Sequence, residues 1–92
     1  MGFDDEVAPL RLEIDRLNRE ITEKLAERVD IALRIGSIKA KYNLPVIDEA
    51  REAKIYEQVQ RLAEQYKLDV EGLRRVFKEI IRLSVEAEEE QR

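Results

Sequence analysis

The chain has 92 residues, which bounds it to one domain whose lone core is only marginally able to stabilise itself. It contains no cysteine and no histidine, which excludes disulfide staples and thiolate or imidazole metal sites and leaves oligomerisation as the source of extra burial. Hydrophobic residues (43%) and charged residues (41%) balance as in amphipathic helices rather than disorder, and a net charge of -4 argues against a nucleic-acid or other polyanion binder.

At the N-terminus, Met1-Gly2-Phe3-Asp4-Asp5-Glu6 lacks the basic start of a signal peptide. No uncharged stretch approaches the ~20 apolar residues of a membrane span, so a cytoplasmic protein without a membrane partner is expected. From Asp5 to about Tyr42 the only interruptions are Pro9, expected in the first turn where proline is tolerated, and Gly36, which permits close packing. This predicts one helix over about 5–42. Asn43-Leu44-Pro45 stops it, because the residue before a proline leaves helical geometry and proline cannot donate the next bond.

Asp48 is the expected N-cap of a second helix over about 48–66, with Ile55, Val59, Leu62 and Tyr66 at helical spacing. Asp69 caps a third over about 69–90, with the stripe Leu73, Val76, Phe77, Ile80, Ile81, Ser84 and Val85 running into an acidic tail. At ~1.5 Å per residue the first helix would extend about 55 Å, close to the other two combined. It carries a near-heptad seam of Val7, Leu10, Ile14, Leu17 and Ile21, resumed by Ile31, Ile35, Ile38 and Tyr42, which asks for a partner along its length. The expected architecture is all-α: one long and two shorter helices, residues 1–92 forming a single domain, in an intertwined helical homodimer.

Several charges sit where apolar residues belong. Arg28 lies seven residues after Ile21 and seven before Ile35, in the seam itself. Such an arginine either sets register, snorkels to water, or faces a ligand. Lys39, eleven residues further, points the same way, and the two long side chains, rooted ~16 Å apart, could grip a small anion from both ends. Alone, Lys39 also suits a solvated helix C-terminus. Asp48, Arg51 and Glu52 share a face with Ile55 and Val59; a cap with surface ion pairs would explain them equally. Ser84 and Glu88 extend the stripe of Phe77 and Ile81, although Glu88 also belongs to the acidic tail. Four such sets on apolar stripes would leave costly unpaired charges unless a charged ligand resolved them.

These residues carry a resemblance to the all-helical chorismate mutases of the intertwined-dimer type, spanning nearly the whole chain. It rests on Leu10-Arg11-Leu12-Glu13-Ile14-Asp15, Leu25-Ala26-Glu27-Arg28, Ile35-Gly36-Ser37-Ile38-Lys39, Pro45-Val46-Ile47-Asp48 with Arg51-Glu52, and Phe77-Lys78-Glu79-Ile80-Ile81 followed by Ser84. The resemblance implies isomerisation of chorismate to prephenate in aromatic amino acid biosynthesis, with no metal or cofactor. It implies that Arg28, Lys39 and Arg51 of one chain, with Arg11 of the other, hold the substrate's carboxylates and ether oxygen. The spacing agrees: Arg11 is seventeen residues from Arg28, roughly 25 Å along the helix and on another face. Asp48 and Glu52 would accept hydrogen bonds from the ring hydroxyl and nearby donors, Ser84 would close the ring side, and Ile35, Ile55, Ile81 and Val85 would supply apolar walls.

Glu88 departs from the commonest family pattern, which has a glutamine donating to the ether oxygen. A carboxyl donates only when protonated, so the expectation is activity that falls as Glu88 ionises. On that reading Lys39, Arg28 and Glu88 are the catalytic groups. Two rivals accompany it: an isochorismate pyruvate lyase on the same fold, disfavoured by Asp48 with Arg51-Glu52, and a non-catalytic helical dimerisation module. The start of the chain suggests a stand-alone protein rather than a piece of a fused enzyme.

Overall fold

A computed structural model describes residues 2–92; Met1, the first residue of the expected domain, lies outside them. The protein is all-helical, with α1 spanning Phe3–Lys41, α2 Glu49–Tyr66 and α3 Val70–Gln91, and no strand among the described residues.

The first helix begins two residues earlier than the sequence suggested. Gly2, at φ 149°, makes an entry that other residues rarely adopt, and Asp4, Asp5 and Glu6 in the first turn oppose the positive end of the helix dipole. Pro9 consequently lies inside the helix rather than in its first turn, a correction to the sequence reading. It forfeits one backbone bond in an exposed segment, where water can serve the carbonyl. The far end closes through Asn43 in the left-handed region, φ 57°. There the Leu44 amide donates to the Lys39 carbonyl (2.8 Å) and the Asn43 amide to that of Ala40 (3.2 Å). The proline stop expected from sequence is therefore seconded by an asparagine cap.

Both predicted N-caps are formed: Asp48 accepts from the Arg51 amide (3.0 Å) and Asp69 from the Gly72 amide (2.6 Å). α2 ends like α1, with a lysine in the unusual position: Lys67 has φ 57° and the Leu68 amide donates to the Ala63 carbonyl (2.9 Å).

α3 packs against both other helices and so forms the middle of the molecule. Ile55, Val59 and Ile81 make the core, with Tyr56, Leu73, Phe77 and Val85 packed around them. Of the expected stripes, Leu62 and Ile80 are half-buried beside this cluster and two members are left in the open. Tyr66 ends α2 beyond the packing and Val76 faces an open groove with Leu25, Ile80 and Leu83, leaving both exposed.

The molecule measures 62 × 27 × 15 Å because α1 outruns its neighbours. Every residue from Ala8 to Lys24 is exposed, including the apolar seam of Leu10, Ile14, Leu17 and Ile21. The second half of the seam is open as well: Ile31, Ile35, Ile38 and Tyr42 are exposed. Only the part of α1 from Leu25 onward meets the rest of the chain, and Gly36 is its one buried residue.

Candidate functional site

Where α1 crosses α3, the start of α2 closes a cavity of about 410 Å³. Arg28, Ile31, Ala32, Ile35 and Lys39 line it from α1, and Ile55, Glu52 and Arg51 from α2. Asp48 and Val46 contribute from the preceding loop, and Ile81, Ser84, Val85 and Glu88 from α3. Each arrives by local rules: 3.6-residue periodicity brings Arg28, Ala32, Ile35 and Lys39 to one face of α1. The Asp48 cap fixes the start of α2 so that Arg51 and Glu52 fall in its first turn.

Eleven of the twelve residues singled out from sequence thus meet around one space. The twelfth, Arg11, does not. It stands on the exposed half of α1, its guanidinium 5.7 Å from the Phe3 ring centroid. Val46 was not singled out: its side chain is buried, and its carbonyl accepts from the Lys39 ammonium at 2.6 Å. No residue-type pattern signals a backbone acceptor, so nothing in the sequence could have pointed to it.

The polar groups of the cavity form two clusters. In one, Lys39 Nζ lies 3.8 Å from Glu88 Oε2 as well as on the Val46 carbonyl, and Glu88 is only 5% exposed. One ammonium therefore ties α1 both to the α1–α2 loop and to the end of α3. In the other, Arg28 donates to the Ser84 hydroxyl at 2.9 Å, and Ser84 is itself buried. Burial lowers the Arg28 pKa from the usual arginine value, and the like charge of Arg51 pushes the same way. Among the described residues neither Arg28 nor Arg51 makes an ion pair. Two guanidiniums thus line one partly dry space with no carboxylate in ion-pair contact with either, and an entering anion would relieve their mutual repulsion.

The space suits a small ligand, since small-molecule sites run to about 300–1,000 Å³ with apolar walls and a few convergent polar groups. Ile35, Ile55, Ile81 and Val85 supply those walls. Among the described residues no cluster of carboxylates is placed to hold a metal ion. No described helix is long and apolar enough to cross a membrane.

Known proteins give the family. Similarity reaches 42% identity over 80 residues with the bifunctional chorismate mutase/prephenate dehydratase of Aquifex aeolicus, covering 84% of this chain and 22% of that protein. The protein of the same name from Escherichia coli K12 is 32% identical over 85 residues, 92% of this chain and again 22% of the relative. The chorismate mutase of Methanocaldococcus jannaschii is 29% identical over 65 residues, 71% of this chain and 66% of the relative. The chain therefore spans about a fifth of the bifunctional relatives. With residues 10–89 matching the family described as chorismate mutase type II, the chain belongs to that family.

Proposed function

We propose that the protein is a chorismate mutase, converting chorismate to prephenate by a Claisen rearrangement in a site completed by a second copy of the chain. The observation that carries this reading is the pair Arg28 and Arg51, aimed into one cavity without a carboxylate partner. Chorismate is a dicarboxylate with an ether bridge, and it would give each guanidinium a carboxylate partner.

In this reading Arg28, Arg51 and Lys39 hold the substrate's carboxylates and ether oxygen. Asp48 and Glu52 accept hydrogen bonds from the ring hydroxyl, and Ser84, already on Arg28, closes the ring side. Ile35, Ile55, Ile81 and Val85 press the enolpyruvyl arm against the ring. The reaction is unimolecular: the ether C–O bond breaks as a C–C bond forms, so the protein's task is to select the folded conformer and to oppose charge growing on the ether oxygen. Lys39 and Glu88, adjacent in the cavity, face that oxygen. Their contribution is greatest where the charge is greatest, in the transition state.

Charge balance supports a second copy. The cavity is lined by three cations, Arg28, Lys39 and Arg51, and by the carboxylates Asp48 and Glu52, with Glu88 neutral in its role as a donor. A dicarboxylate would add two negative charges to a partly dry site whose three cations exceed its two carboxylates by one. Arg11 from a partner would offset one of them, and within its own chain it stays away from the cavity. The exposed seam of α1, with Leu10 58% and Ile21 57% accessible, is the surface such a homodimer would bury.

The test is direct. Chorismate mixed with the protein should lose its absorbance and yield prephenate, and sedimentation should give two chains per particle. Consumption no faster than in buffer would overturn the reading. Release of pyruvate and salicylate from isochorismate, with chorismate untouched, would favour the lyase instead.

A further inference from the structure

Gly36 does not line the cavity, yet it is the one buried residue of α1, set one helical turn before Lys39. A methyl group built on it would meet Glu88 Cγ at 3.0 Å, Cδ at 3.4 Å and Cβ at 3.5 Å. All three atoms belong to one side chain. The closest occupant of the room that glycine leaves is thus the arm of Glu88 rather than the backbone of α3.

From this we propose that Gly36 is a positioning residue for Glu88, its missing side chain admitting the Glu88 arm against α1 so that the carboxyl group reaches the cavity beside Lys39. The inference rests on the proposed mutase site and adds to it a residue that touches no substrate. Glu88 has little freedom to yield, being 5% exposed and held 3.8 Å from the Lys39 ammonium. Restoring ordinary carbon contact, ~3.5 Å, would move Cγ by about 0.5 Å and its carboxyl group with it. A misplacement of about 1 Å costs on the order of 100-fold in a positioned reaction, so half that shift predicts about tenfold.

The Gly36→Ala variant tests this because its two effects oppose each other. Alanine favours the helix over glycine, so melting should hold or rise. Because Glu88 acts mainly in the transition state, kcat should fall about tenfold or more, with KM changing much less. The same substitution placed in a Glu88→Ala background, where the colliding Cγ and Cδ are gone, should cost less than about twofold further. Native-like kcat in Gly36→Ala, an equal loss in both backgrounds, or loss of the helical fold would each overturn the inference. A native protein idle on chorismate would sink the proposed function itself, whereas an active one indifferent to Gly36→Ala sinks this inference alone.

Discussion

Replacing Arg28 by methionine separates what the guanidinium does for the fold from what it does for the ligand. In the free protein Arg28 makes one side-chain hydrogen bond, to Ser84, while burial and Arg51 both act against its charge. Methionine keeps the length of the stem and removes both penalties. The lost hydrogen bond is worth about 1 kcal/mol net, and the Ser84 hydroxyl can turn to the carbonyl one turn back in α3. Stability should therefore stay within about 1 kcal/mol of native, a melting shift no larger than about 4–8 °C. Turnover should respond very differently. Removing one member of a buried charged contact costs about 2–5 kcal/mol, which in kcat/KM is about 30-fold to about 5,000-fold. Chorismate decay followed by absorbance, beside a thermal melt of the same preparation, reads both quantities. Activity within a few-fold of native would refute the role given to the cavity. A melting point lowered by more than about 10 °C would show that Arg28 is a structural group instead.

Arg11→Ala and Arg28→Ala chains should each be nearly inactive alone yet regain on the order of a quarter of native activity when mixed and re-equilibrated. Statistical exchange gives half the dimers one of each chain, and each of these has one intact site; no recovery would exclude a shared site. Glu88→Gln exchanges a group that donates only when protonated for one that always donates, so variant activity relative to native should climb with pH. A constant ratio would dismiss Glu88 as the donor. Lys67→Gly relieves a left-handed backbone without touching the cavity and should stabilise by about 0.5–1 kcal/mol, read as a raised melting point with unchanged kcat.

The parts of this structure that short-range chemistry determines were legible in the sequence. Asp48 and Asp69 read as caps because an aspartate before an amphipathic run has an amide three residues on to serve, and both serve it. The cavity could be anticipated because Arg28, Lys39, Arg51 and Glu88 violate the periodicity of otherwise apolar stripes. What stayed hidden depends on partners distant in sequence or on the backbone. Arg28 and Ser84 are 56 positions apart, the Val46 carbonyl carries no side-chain signature, and Gly36 reads as a generic packing glycine until α3 brings Glu88 against it. Lys67 ends α2 in a conformation that residue type argues against. Pro9 was misplaced because Gly2, a residue with weak positional meaning, opens the helix two residues before the expected start at Asp5.

The length of α1 divides that helix into two stretches answerable to different surroundings. From Leu25 onward, a substitution is felt by α3 and by the cavity of the same chain. Between Ala8 and Lys24 every residue is exposed within its own chain, and such a stretch of helix gains no stability from packing. Amide exchange should then be fast in that stretch at high dilution and slow wherever something lies alongside, which makes those seventeen residues a built-in reporter of company.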